Sequence, residues 1–284
     1  MYSKLKSCAG RLRPAAIAGL TIGAIFSTTT SAEAEPWPSK VDATYRIAFN
    51  GFDIGTFEFR ADTTGSSYAM RGDAQLSALL GAFKWQGATR SSGTLTSSGP
   101  RPAGYTFDFS GIGKQGSIKL GFQHGNITSV SMQPPQPPTP DVVPVREAHL
   151  KAALDPLSAV LAISRTSSGN PCQRRIPVFD GKQRFDLVFS FLRQQAVAEA
   201  RPSGQPSVAL VCRVRFVPIA GHRMSEETKH MASTDGIEIS LRPVPSASIY
   251  VPYQISVPTI AGTATLTSER VNIVTRSEQI ALTN

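Results

Sequence analysis

The stretch Leu154-Asp155-Pro156-Leu157-Ser158-Ala159-Val160-Leu161-Ala162-Ile163-Ser164 decides how the rest of the chain is read. Asp155 suits a helix N-cap, because its carboxylate can accept from the free amides of a first turn. Pro156 suits the first helical position, where no amide hydrogen is needed. Beyond Pro156, apolar residues fall on nearly every side, and Ser158 is the only polar side chain before Ser164. A helix this short is marginal alone in water and has to be held by packing. The reading is a short helical peg buried in a curled sheet, with Asp155, Pro156, Leu157 and Ser158 as its cap and core residues.

The arms on either side of this peg alternate with period two. In the first arm Tyr45, Ile47 and Phe49 share a face, Asn50-Gly51 offers turn chemistry, and Phe57 and Phe59 resume the alternation. That pattern predicts a tight hairpin. Thr64-Gly65-Ser66, Ser98-Gly99-Pro100, Gly111 with Gly113, and His124-Gly125-Asn126 mark later turns between further strands. Aromatic side chains fall on one side of this arm, as in an antiparallel sheet whose other side meets water. In the second arm Asp180-Gly181 separates two β-patterned runs. Val208, Leu210, Cys212, Val214 and Phe216 fall on one face, opposite Ala209, Val211, Arg213 and Arg215, and the segment from Gly221 to Thr234 reads as a polar loop. The expected fold is mainly β: a strongly curved antiparallel sheet or open barrel, β-roll-like, wrapped around one short central helix. One β-rich domain over residues 35–284 is expected, with a Pro-rich connector near residues 133–145.

Residues 1–34 read as a targeting segment. Lys4, Lys6, Arg11 and Arg13 make a basic start, Ala15 to Phe26 an apolar centre, and Ala32-Glu33-Ala34 a small-x-small cleavage site. Together these describe a secretory signal peptide cut near Ala34, and so a periplasmic protein with no transmembrane span in its mature form. The remaining chain carries 25 basic and 19 acidic residues, a net charge of +6. Its charges are scattered singly and build no basic stripe interleaved with aromatics, which argues against a nucleic-acid partner. Cys172 and Cys212 are then the only cysteines. In an exported chain such a pair reads as one disulfide, and the absence of Cys-x-x-Cys argues against a metal or redox role.

Reactive constellations are mostly absent from the sequence. There is no Gly-x-Ser-x-Gly elbow, no phosphate-cradling glycine loop and no His-Glu-x-x-His. His222, Glu226 and His230 stand at i, i+4 and i+8 and would align three metal ligands on a helix. Gly221 before them and Ser233-Thr234-Asp235-Gly236 after them argue against such a helix. Neither a metal nor any other cofactor is therefore expected, and no catalytic residue is assigned.

The Asp155-Pro156-Leu157-Ser158-Ala159 core, the run from Asp180 to Leu187, Cys212-Arg213-Val214-Arg215-Phe216, Tyr250-Val251-Pro252, Gly262-Thr263-Ala264 and the early Gly51 and Gly55-Thr56 resemble an uncharacterised bacterial family, the domain of unknown function 3108. The resemblance implies an exported, mainly β protein and carries no established catalytic residues. More loosely, the plan is similar to curled-sheet envelope proteins that wrap a helix, some of which carry lipids. The functional expectation is a non-enzymatic binding protein of the cell envelope, holding a lipid or acyl chain in an apolar groove. The groove is expected at Leu79, Leu80, Phe83, Phe107 and Phe189. The alternative is a structural or interaction protein that supports envelope integrity through a protein partner.

Overall fold

In a computed structural model of the protein, which describes residues 37–78, 81–135, 139–165 and 170–284, Asn50 and Gly51 both take positive φ, 48° and 84°. Two successive positive φ angles are what a tight primed turn demands, and Asn-Gly is the pair that adopts them most easily. The turn joins strand β1 (Lys40–Phe49) to β2 (Phe52–Thr64). The meander continues through β3 (Ser67–Ala78), β4 (Phe83–Thr96), β5 (Gly99–Gly111), β6 (Lys114–Gln123) and β7 (Asn126–Gln133). After the connector come helix α1 (Pro156–Ile163) and strands β8 (Arg175–Phe179), β9 (Arg184–Ala196) and β10 (Val208–Ala220). Helix α2 (Glu226–Ser233), β11 (Glu238–Val244), β12 (Ile249–Thr259), β13 (Gly262–Val274) and β14 (Gln279–Thr283) complete the fold. The targeting segment, Leu79, Leu80 and part of the Pro-rich connector lie outside the described residues.

Residues 35–284 form one compact unit. Its 14 strands make a single sheet in the order β7-β6-β5-β4-β3-β2-β1-β13-β12-β11-β10-β9-β8, with β14 added beside β13. Every pairing is antiparallel, and β1 meets β13 although more than 200 residues separate their partners, as in Lys40 with Val274. The first and last arms thus join in the middle, and β7 and β8 remain as edges that do not pair with each other. The sheet is open. Side chains nevertheless reach across the gap: Phe179 of β8 packs with Tyr105, Leu120, Phe122 and Ile127 from β5, β6 and β7. A Cβ at Gly181, where φ is +99°, would collide with Ile118 of β6, so the β8–β9 turn needs glycine for both space and backbone.

Helix α1 lies against β3, β4, β5 and β8. Both of its ends are tied to the sheet. Leu154, just before the cap, exchanges backbone bonds with β8, donating to Pro177 O and accepting from Phe179 N, each at 2.9 Å. Ser164, just after the helix, accepts from Tyr250 N at 2.7 Å. Leu157 and Leu161 join one core cluster with Val41, Tyr68, Val251 and Val271, while Ala159 and Ile163 join a second with Cys172, Cys212 and Val214.

Three features differ from the sequence reading. Residues 226–233 form a helix rather than a loop, because Ser225 accepts from Thr228 N as an N-cap and Met231 packs against the second cluster. Strand β14 extends the sheet beyond the last anticipated strand. In β10 both faces are buried: Ala209 and Val211 are as fully covered as Cys212. The extra residue of the β9–β10 bulge, Leu192, lies in β9, so β10 keeps its alternation, and the segment 197–207 crosses the face of Ala209 and Val211. That segment is fastened by Arg242 of β11, which is almost wholly buried. Its guanidinium donates to Pro206 O at 2.9 Å, Glu199 Oε1 at 2.6 Å and Ser203 Oγ at 3.1 Å.

Candidate functional site

Beside α1 the inner face of β1, β2, β12 and β13 leaves an apolar cleft of about 80 Å3. Leu157, Val160 and Leu161 form its helical wall, and Tyr45, Phe57 and Ile255 are among the strand residues facing them. Trp37 also lines it, and its indole N–H is buried with no hydrogen-bond partner among the described residues. An indole N–H withdrawn from water without an acceptor is costly, on the order of 1–3 kcal/mol. The Tyr45 hydroxyl, by contrast, donates to Pro252 O at 3.1 Å, and burial holds its phenol well above the ordinary range. Tyr45 and Phe57 are cross-strand partners with ring centroids 6.1 Å apart. The cleft thus presents hydrocarbon walls and one unmet donor.

Under the cleft lies a buried polar knot. Asp155 Oδ1 accepts from Ser158 N at 3.0 Å, the cap bond that the sequence implies. Asp155 Oδ2 accepts from Ser158 Oγ at 2.6 Å and from Ser91 Oγ of β4 at 3.0 Å. Tyr68 of β3 then meets Ser158 Oγ at 2.8 Å. With the Ser158 proton committed to the carboxylate, Tyr68 is the donor in that contact. Among the described residues no cation touches Asp155, and burial pushes its carboxyl above the ordinary range although the hydroxyl and amide bonds oppose the shift. Burial likewise pushes Tyr68 up to about 12. Asp155 and Ser158 are closed to solvent, so the knot clamps α1 to β3 and β4 and offers no nucleophile to a substrate.

The other anticipated residues fall in separate places. Cys172 and Cys212 form a disulfide across 40 residues with Cα atoms 5.1 Å apart, and both are fully buried. Phe107 packs beside Tyr105 and Leu120 and stacks on Phe109 at 5.6 Å, whereas Phe189 is buried in the cluster of Cys212 and Val214. Phe83 opens β4 opposite Ala78. The structure therefore does not gather Phe83, Phe107 and Phe189 around one cavity; the cleft is bounded instead by residues of β1, β2, β12 and α1. Alternation placed Tyr45 and Phe57 on apolar faces, but which apolar face stays uncovered depends on where α1 comes to lie. His222 is buried ahead of α2, Glu226 is exposed and paired with Lys229, and His230 sits in the last turn of the helix. Among the described residues, no three His, Cys, Asp or Glu side chains gather as metal ligands.

The sequence profile described as "Protein of unknown function (DUF3108)" matches residues 44–268. The chain belongs to that family. The match takes in the whole of α1, the disulfide and all the cleft residues except those before residue 44 and Val271. Among solved structures, the DUF3108 chain is similar to a beta-barrel-like protein of domain of unknown function DUF1849 from Brucella abortus, with 11% identity and a TM-score of 0.48 over 84% of this chain and 98% of that one. No curated protein matches.

Proposed function

We propose that this DUF3108 protein is an exported, non-enzymatic binding protein of the bacterial periplasm, whose sheet curls around α1 and holds an acyl chain against it. The observation that carries this reading is the cleft beside α1, walled by Val160, Leu161, Tyr45 and Phe57, together with the unmet indole donor of Trp37. Apolar pockets with a few placed polar groups are the usual form of small-molecule sites. A ligand with a hydrocarbon tail and one acceptor oxygen, a carboxylate or an ester, satisfies both features. At about 80 Å3 the cleft takes only a few methylene groups as it stands, so the bound chain extends along the half-buried apolar lining of the inner face. Among the described residues no helix is long and apolar enough to cross a membrane.

The test is displacement of a fluorescent fatty-acid analogue from residues 35–284. Val160→Phe, which fills the cleft, is expected to weaken binding about ten-fold without lowering the melting temperature. Trp37→Phe, which keeps the ring and removes the donor, is expected to weaken it several-fold, by roughly the 0.5–1.5 kcal/mol of one hydrogen bond. Unchanged affinity in both variants contradicts the reading. A second reading, an envelope interaction protein, draws on the unpaired edge of β7, where Val130 is exposed. It predicts a defined protein crosslinked at Val130 in cells and no displaceable acyl ligand.

A further inference from the structure

Single exposed apolar side chains are ordinary on a protein surface, so what counts is where they stand. Phe52 is 77% exposed, Ile112 66%, Met224 64% and Ile260 62%. All four lie in, or head, connections that emerge at one end of the sheet: β1–β2, β5–β6, β10–β11 and β12–β13. The register places Ile260, Phe52 and Ile112 along one rim, and Met224 follows β10 at the same end of the sheet. Asn50 N donates to Thr263 O at 2.9 Å, which ties the turn before Phe52 to the turn that holds Ile260. Leu76 pairs with Trp85 and Trp85 with Gly111, which carries the rim on across β3, β4 and β5 to Ile112. At the opposite end the connections carry Gly65 and Ser66, Ser97 and Ser98, His124 and Gly125, and Arg276 and Ser277. None of the described residues in those connections is an exposed large apolar one.

Exposed cations stand among these apolar turns. Lys84 is the second residue of β4, Lys114 follows Ile112 by two residues, and Arg223 directly precedes Met224. All three are exposed, and none forms an ion pair with a described carboxylate. Asp53, next to Phe52, is already matched by Arg46 at 3.5 Å. A protein partner would want one continuous, closely packed patch. Apolar tips on separate turns, with unpaired cations between them, instead match the boundary of a bilayer, where apolar side chains enter the acyl region and Lys and Arg remain at the phosphates.

The geometry points to a lipid bilayer surface, rich in anionic headgroups, as the partner of this rim. Phe52, Ile112, Met224 and Ile260 enter the interface, and Lys84, Lys114 and Arg223 meet headgroup phosphates. The inference goes beyond the acyl-chain reading and does not depend on it, since a rim can dock on a membrane with nothing in the cleft. The cleft nevertheless runs toward this end: its lining residues Phe57 and Leu266 lie a few residues from the β1–β2 and β12–β13 turns.

The experiment is flotation of residues 35–284, a compact unit in themselves, with phosphatidylcholine vesicles containing or lacking phosphatidylglycerol. The protein is expected to float with the anionic vesicles and to be released by salt. Combining Phe52→Ser, Ile112→Ser and Ile260→Ser is expected to cut that binding about ten-fold or more at an unchanged melting temperature. Phe191→Ser, which removes an exposed ring from β9 away from these turns, is expected to bind as the parent does. The inference is overturned if the parent floats with neither vesicle, if the triple variant floats as well as the parent, or if Phe191→Ser loses as much. It is also overturned if the parent sediments as a dimer that the triple variant breaks, because the rim is then the contact between two copies.

Discussion

Asp155 is the residue on which the position of α1 depends, and its chemistry makes a pH prediction. Its carboxyl is raised above the ordinary range by burial and, among the described residues, has hydroxyl and amide donors around it and no cation. A carboxyl raised by folding binds its proton more tightly in the folded state. Its contribution to stability is thus complete below the unfolded value of about 4 and is lost as pH climbs through the folded value. Asp155→Asn removes the titration and keeps an acceptor for Ser158 N. Urea denaturation of the two proteins is expected to show the parent losing stability relative to the variant as pH is raised from about 4 toward neutrality. Other carboxylates titrate in both proteins and cancel in the difference. A constant difference across that range would show that Asp155 titrates normally. The cap was legible from Asp155-Pro156 alone. Ser91 and Tyr68 were not, because only the folded sheet brings Ser91 from 64 positions away onto the carboxylate and Tyr68 from 90 positions away onto the Ser158 hydroxyl.

At the scale of elements, the disulfide holds the approach to β8 against β10. The 40-residue loop it closes is worth about 4 kcal/mol on the chain-entropy model. Cys212→Ser is expected to lower stability by about that amount, read from the denaturation midpoint, and an unchanged midpoint would contradict the bridge. Strands whose one face is buried announced themselves through alternation, and Asn50-Gly51 and Asp180-Gly181 announced two hairpins through turn chemistry. Elements that depend on distant partners did not. Helix α2 carries its own cap, Ser225, but no apolar stripe; Met231 against the second cluster is what holds it, and that contact spans the fold. The double burial of β10 was hidden for the same reason, since its cover is the 197–207 segment fastened by Arg242 and Glu199.

For the whole molecule, the open sheet followed from a count of alternating arms on both sides of one apolar helix. The cleft did not follow. A curved sheet with an apolar inner face has several places where hydrophobic side chains can remain uncovered, and a cavity at Phe83, Phe107 and Phe189 was as consistent with the pattern as the one that forms beside α1. What decides between them is the path of α1 from β8, through Leu154, to β12, through Ser164 and Tyr250, because that path sets the helix against β5 and β8 and leaves Tyr45, Phe57 and Val160 lining the cleft. The antiparallel order places the apolar turns at one end. Native mass spectrometry of the protein purified from its own envelope tests the central claim most directly. A complex heavier than the polypeptide by one acyl-bearing molecule, with a melting temperature that falls once this molecule is extracted, is the predicted result. A bare polypeptide mass, with a melting temperature indifferent to extraction, would contradict it.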